Sequence, residues 1–543
     1  MSNQTPAFTL PQLLIPKDQQ LSVRGVQVFV ACDPSYFYEH AIPLAYSLNT
    51  HSPHHALHLH IFGHRQAVVD QIRMLQQCLQ RTRITWSYEQ IDFPTRDEKA
   101  VYCSCVRFIR LTQLISIFKR PMLSLDADSL IMCPLDRLAT DVGLNELALR
   151  IRLNAKKIEH KLLTGTVYLQ PTPKILSFFN HVSNNIFKAL EMGTAEWYLD
   201  QISFYEAAKN TPNLKIQDIA LKYADWDFSD NSCIWAGKGI KKEQDQLYKH
   251  RYSQFKNQSL LDEWRGISKS QIPNFAIIGA MKAGTTSLYQ YLSEHPEIYF
   301  SSKEKEPGHF LPYAAYKKRI KTNMGVKIHS RQQAMELLMP DYQGQKRVGD
   351  ASVYYTQLPS KGQGSHAIIH TVQPNMKFIY ILRHPIERII SHYFYHLDDA
   401  AKIAQFNSHH PQAKIGEIDF SEYIEKRQEN FIPTSLYALQ LSSFLPKFSK
   451  SQFLILTTEE LKQQPHETLK KTFEFLDVDS HFVCQSCNVQ HNSSHSKQSA
   501  PKPKFKPELY RKILQFVLED VAKLEAMFDR KFDWDFSEQK YVE

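Results

Sequence analysis

The stretch that most constrains the fold spans residues 272–310. Its centre reads Phe275-Ala276-Ile277-Ile278-Gly279-Ala280-Met281-Lys282-Ala283-Gly284-Thr285-Thr286-Ser287-Leu288. The apolar run Phe275 to Ile278 is what a buried parallel strand requires. Gly279 and Gly284 make a tight turn, and from Thr285 the spacing of Leu288, Tyr291 and Leu292 is helical until His295-Pro296 stops it. Strand, glycine loop and helix start together predict an anion site, because backbone N–H groups and the positive end of the helix dipole converge there.

A nucleotide kinase places its glycines and lysine as G-x-x-x-x-G-K-[ST]. Gly279 and Gly284 keep that glycine spacing, but Thr285 stands at the lysine position and Lys282 lies inside the loop. This ordering closely resembles the phosphosulfate loop of sulfotransferases that use 3′-phosphoadenosine-5′-phosphosulfate (PAPS). The resemblance implies that Gly279, Lys282, Ala283, Gly284, Thr285, Thr286 and Ser287 hold the cosubstrate. A P-loop nucleotide kinase is the alternative, and it would bind ATP rather than PAPS.

A chain of 543 residues is long enough for two α/β domains. Its composition, 43% hydrophobic and 22% charged, is that of a globular protein. No unbroken apolar run reaches membrane-spanning length, so no transmembrane segment is expected. The first twenty residues lack a basic-then-apolar leader, so a cytoplasmic location is the default expectation. A net charge of +9 suits anionic ligands, but no nucleic-acid-binding motif accompanies it, and a nucleic-acid partner is not expected. The eight cysteines are scattered, as reduced thiols would be. Cys484 and Cys487 with His481, His491 and His495 have zinc-type side chains, but the two pairs lie too close together for a finger.

In the first half, residues 26–30 and 57–62 read as strands around a helix near 41–48, followed by a helix at 66–80 and a strand at 84–88. Several histidines crowd this region, and His58 and His60 are expected on the polar face of their strand. A helix over 101–118 leads to a strand at 121–125 that runs into Asp126-Ala127-Asp128. Two carboxylates at the carboxyl end of a buried strand suit Mg²⁺ or Mn²⁺ bridging a diphosphate. The order of elements resembles GT-A glycosyltransferases of the glycogenin and lipopolysaccharide galactosyltransferase type. Phe29 to Asp33 with Tyr36 is similar to their nucleotide-sugar loop, and Arg107 and Arg110 precede the D-x-D strand. Residues 163–169 and Asp200-Gln201 are similar to later motifs of that family. Its closing H-x-x-G-x-x-K is met by Gly239 and Lys242, but Ala236 stands at the metal-ligating histidine. This half is therefore expected to be either a glycosyltransferase-like domain using a nucleotide sugar or an inactive glycan-binding module. Its limits are 22–255, and the polar stretch 249–272 reads as the junction.

The second half, 272–535, is expected to be a parallel-sheet sulfotransferase fold. Glu306-Pro307-Gly308-His309-Phe310 resembles the Glu-Pro-His-Phe of carbohydrate sulfotransferases with one residue inserted. An alcohol attacking sulfur must lose its proton, so a base is required, with Glu306 favoured over Glu304 and His309. Gly349 to Tyr355 resembles a segment lining the acceptor side. Lys377 to Leu382 reads as a second parallel strand ending in Arg383, with Pro385 opening a helix that carries Ser391. The resemblance makes Arg383 and Ser391 the 3′-phosphate site, a planar fork and a hydroxyl suited to phosphate oxygens. Lys497 is the candidate from the closing basic strip. The expected reaction moves a sulfuryl group from PAPS to a carbohydrate hydroxyl, with Lys282, Glu306 and His309 as catalytic candidates.

Overall fold

The computed structural model describes residues 8–17, 19, 25–63, 65–93, 95–237, 239–357, 364–409, 419–487 and 502–543. They divide into two compact units, Met1–Asp262 and Glu263–Glu543.

The first unit is built on β1 (Gln27–Cys32), β2 (Ala56–Phe62), β3 (Ile84–Glu89), β4 (Met122–Leu125), β5 (Leu130–Ile131), β6 (Leu147–Ile151), β7 (Leu162–Leu169), β8 (Ile216–Asp218) and β9 (Ile234–Trp235). Seven of these form a mixed sheet in the order β3-β2-β1-β4-β7-β6-β8, and β5 pairs separately with β9. β1 is parallel to both β2 and β4, while β7 runs antiparallel to β4. The chain thus leaves β1 toward one side and returns at β4 on the other. That puts a topological switch point beyond the carboxyl ends of β1 and β4, where open α/β sheets bind ligands. The helix Arg96–Phe118 packs across the sheet through Phe108, Leu111 and Ile115. Its apolar stretch has the length of a membrane span, but 61% of it is buried within the protein, as in a core helix.

Two expectations for this unit change. His58 and His60 do not face solvent; both are fully buried. β2 lies inside the sheet between β1 and β3, so both its faces are covered and each ring needs a partner. His58 is bonded to Thr85 and Ser87 at 2.9 Å, and His60 lies beside Ser87 and Glu89. The stretch read as the junction contains the boundary between the two units, and its first part belongs to the helix Gln246–Asp262, which buries Tyr248, Phe255 and Ser259. Finally, not all thiols are free: Cys133 and Cys233 form a disulfide, because the β5–β9 pairing brings their flanks together.

The second unit holds β10 (Phe275–Gly279), β11 (Ile298–Phe300), β12 (Arg347–Asp350), β13 (Lys377–Leu382) and β14 (Phe453–Thr457) in an all-parallel sheet ordered β11-β12-β10-β13-β14. Every residue of β10 is buried, which is why the strand reads as an unbroken apolar run. Helices on both faces complete the layers, with Leu288, Leu292, Leu469 and Phe473 on one side and Ile386, Ile389 and Ile390 belonging to a second cluster. β10 is flanked by β12 and β13, so its carboxyl end is again a switch point.

Candidate functional site

The loop after β10 opens into a cavity of about 900 Å³. Gly279 has φ +148°, and a Cβ there would stand 2.6 Å from the Tyr380 ring, so only glycine fits. Gly284, at φ +96°, caps the helix Thr285–Ser293, whose first turn lines the cavity. First-turn N–H groups have no partner within their own helix, which makes this end an anion cradle. The loop is held from the neighbouring strands. The Ala280 N–H donates to the Ile381 carbonyl at 2.7 Å, and the Thr458 hydroxyl reaches the Ala283 carbonyl at 2.6 Å.

Lys282 lines the cavity, its ammonium 4.4 Å from the centre of the Tyr395 ring, and Lys402 approaches the same ring at 4.3 Å. Arg383 and Ser391 line the cavity as well, the first from the end of β13 and the second from the helix Pro385–Leu397. Arg383 donates to the Lys282 carbonyl at 3.3 Å and pairs with Glu387 at 3.7 Å. Loop and arginine are thus one constellation.

Glu306 lines the same cavity. Its carbonyl accepts from the Arg319 guanidinium at 2.6 Å and the Tyr354 hydroxyl at 2.8 Å, while its carboxylate lies 3.0 Å from the Lys305 ammonium. Glu304 is instead tied to Asn323, Arg319 and the Glu306 N–H. His309 does not line the cavity. Gly308, at φ +74° and with no space for a Cβ against the Tyr354 hydroxyl, turns the chain inward. His309 is consequently buried, with its N–H on Asp350 at 3.1 Å and its ring on the Tyr316 hydroxyl at 3.1 Å. Asp350 is likewise buried, bonded to Ser352 and Tyr355; Val353 and Tyr354 are the members of that segment that reach the cavity. The inserted glycine therefore separates the candidates, leaving Glu306 toward the cavity and His309 behind it.

Residues 273–515 match the family described as "Sulfotransferase domain". Residues 273–515 are a sulfotransferase domain. Mouse carbohydrate sulfotransferase 15 is 28% identical over 247 residues, which make up 38% of this chain and 44% of that protein. The chain thus spans less than half the length of the first curated relatives it matches. The crystal structure of a sulfotransferase from Alicyclobacillus acidocaldarius is 25% identical and covers 48% of this chain and 97% of its own, at a TM-score of 0.35. The glycosyltransferase GlyE of Streptococcus pneumoniae is 13% identical and covers 66% of this chain and 91% of its own, at a TM-score of 0.31.

In the sulfotransferase domain, sequence reading missed Thr458, Tyr395 and Arg319, which act on the loop or on Glu306 from distant parts of the chain. Lys497, His491 and His495 lie outside the described residues. Cys484 and Cys487 are buried, with Cys487 at 3.5 Å from His466 and at the cavity edge, and His481 is exposed beside Asp479. Replacing Arg383 by lysine keeps the charge but removes the planar fork. On the reading that this cavity holds PAPS, proposed below, Arg383→Lys is expected to raise its KM about tenfold with kcat changed less, since one charge-assisted bond amounts to about 1.5–3 kcal/mol. Initial rates at varied PAPS would check this, and an unchanged KM would remove Arg383 from the binding set.

Burial, with the Arg331 charge adding to it, pushes the His309 imidazole down to about 3. An unfolded histidine titrates near 6.5, so on acidification the unfolded chain takes up this proton first. The stabilisation is therefore fully present above about pH 6.5 and is lost progressively as pH falls toward 3. Denaturant midpoints for unfolding should drop between about pH 7.5 and 5.5, and flat midpoints would contradict this burial.

The first unit gathers a second set of polar groups beyond β1 and β4. Asp33 caps the turn after β1, accepting from the Ser35 N–H at 2.7 Å, and pairs with Lys99 at 3.3 Å. Arg107 binds Asp126, and its other terminal nitrogen lies 3.4 Å from Asp200, which also accepts from the Thr164 hydroxyl at 2.7 Å. Gly165 presses close to Asp126, where a Cβ would stand 2.8 Å from the carboxylate. Lys242 pairs with Asp128, whose carboxyl is pushed up to about 6 by burial and by the neighbouring Asp126.

A divalent ion fits this set poorly. Among the described residues no group of three or more His, Cys, Asp or Glu side chains could hold one. Ala236 contributes no donor, and Asp126 and Asp128 already face cations.

Proposed function

We propose that this chain transfers the sulfuryl group of PAPS to a hydroxyl of a carbohydrate acceptor. What carries this reading is that Lys282, Arg383, Ser391 and Glu306 all border one cavity. PAPS, when bound, supplies an activated sulfuryl group on a phosphate leaving group. The first turn of the helix Thr285–Ser293 and Lys282 hold the 5′ side, and Arg383 and Ser391 hold the 3′-phosphate. In the transfer the sulfur–oxygen bond to phosphate breaks as the bond to the acceptor oxygen forms. Lys282 and the loop N–H groups offset the charge that develops on the departing phosphate oxygen, which is where fixed donors contribute most. Glu306 takes the hydroxyl proton, oriented by Arg319 and Tyr354 at its carbonyl.

This reading is tested by Glu306→Gln, which keeps the shape and removes the base. We expect kcat to fall by about 10²–10⁴ with binding of adenosine 3′,5′-bisphosphate unchanged. Transfer of labelled sulfate to glycans at the normal rate would refute the role of Glu306. The acceptor class rests on the names of relatives, carbohydrate sulfotransferase 15 and heparan sulfate glucosamine 3-O-sulfotransferase 6 among them.

For residues 1–262 the proposal is a nucleotide-sugar domain that extends or binds the same glycan. It is supported by the Asp33–Tyr36 turn, Asp126, Asp128, Arg107 and Lys242 gathered beyond β1 and β4. Hydrolysis or transfer from a nucleotide sugar would favour the enzyme over an inactive binding module.

A further inference from the structure

We infer that the site beyond β1 and β4 takes a nucleoside diphosphate without a divalent cation, with the Lys242 ammonium supplying the counter-charge. This rests on the nucleotide-sugar reading of the first unit. A divalent ion bridging a diphosphate needs several hard oxygen donors from the protein. Here both carboxylates of the pair already face a cation. Asp126 is held by Arg107, which is itself fixed by Asp200 and lies near the Thr164 carbonyl. The side chain of Asp128 is held by Lys242, and its backbone carbonyl accepts from the Tyr248 hydroxyl at 2.7 Å.

The segment that should bring a further ligand cannot swing one in. The Ala236 N–H donates to the Asp225 carbonyl at 2.7 Å, which fixes this end of β9. Gly237 packs directly on Asp128, where a Cβ would meet its carbonyl oxygen at 2.5 Å. With histidine absent and glycine in contact, the side chain that reaches the carboxylate is Lys242. Its ammonium lies beside Asp128 and 5.9 Å from the centre of the Tyr36 ring, on the turn that follows β1. An ammonium has three donors and no acceptor, so it can keep Asp128 and still bond phosphate oxygens. Arg107 and Lys242 thus put two fixed positive charges where a diphosphate would otherwise require a metal.

The test is calorimetric titration of the full chain with UDP and with GDP, with adenosine 3′,5′-bisphosphate saturating the sulfotransferase domain. One series contains EDTA and the other excess MnCl₂. We expect at least one of the two diphosphates to bind in EDTA with an affinity within about threefold of that in Mn²⁺, and Lys242→Met to weaken the metal-free binding by about tenfold or more. Lys242→Arg should retain most of it, which separates loss of charge from loss of folding. Binding that appears only with Mn²⁺ would overturn the metal-free inference and leave the nucleotide-sugar reading standing. Binding in EDTA that Lys242→Met leaves intact would overturn the role of Lys242. Absence of binding by both diphosphates in both series would overturn the inference and the nucleotide-sugar reading together.

Discussion

Lys282→Ala is expected to lower sulfuryl transfer by about 10²–10³ or more in kcat, the cost of removing one preorganised donor from a developing anion. The ammonium sits in the cavity, over the Tyr395 ring rather than in the apolar core. Its removal therefore leaves the packing of β10 intact. The backbone at residue 282 has φ +67°, a strain that lysine and alanine bear alike, so the substitution adds no conformational cost. Circular dichroism and the thermal midpoint should match the parent, while labelled sulfate transfer falls. A variant that turned over normally would show that charge on the leaving oxygen is met elsewhere. Lys282→Arg should recover part of the rate, because charge is restored but the planar head does not fit a point-charge position.

Arg331→Leu is expected to destabilise the sulfotransferase domain by about 3–5 kcal/mol, the range for breaking a buried ion pair from one side. Arg331 is 1% exposed. Its guanidinium lies 2.9 Å from the buried Glu263 carboxylate and donates to the carbonyls of His309 and Leu311 at 2.6 and 2.7 Å. It also lies over Trp264, Tyr313 and Tyr316. Leucine would leave a buried carboxylate and two carbonyls without their donor. Those carbonyls belong to the turn that follows Glu306, so activity should fall even where the domain remains folded. Urea unfolding of parent and variant measures the first effect; a loss under about 1 kcal/mol would mean that the pair is solvated. Glu263→Gln together with Arg331→Leu should be less damaging than Arg331→Leu alone, because the orphaned charge is gone.

The parts legible in the sequence were those whose physics is local. β10, β13 and β14 are buried parallel strands and read as apolar runs, and the phosphate loop announces itself because Gly279 and Gly284 are set by backbone geometry. Pro385 likewise marks the start of its helix. What escaped depends on distant contacts. His58 and His60 alternate with apolar residues as on a half-exposed strand, and only the flanking of β2 by β1 and β3 buries them. The helix Gln246–Asp262 carries no clear apolar periodicity because its buried positions, Tyr248, Phe255 and Ser259, are spread among lysines and glutamines. The Thr458 hydroxyl meets a carbonyl 175 residues earlier, and Cys133 pairs with a cysteine 100 residues on; neither has a local signal. The inserted Gly308 was visible, but which side chain it would turn inward became clear only once Asp350 and Tyr316 were seen to receive His309.

The most direct test is a crystal structure of the chain with adenosine 3′,5′-bisphosphate bound. The account predicts the 5′-phosphate against Lys282 and the first turn of the helix Thr285–Ser293, the 3′-phosphate on Arg383 and Ser391, and Glu306 left facing open space for an acceptor. A nucleotide seated elsewhere, or in this cavity with neither phosphate touching Lys282 or Arg383, would contradict it.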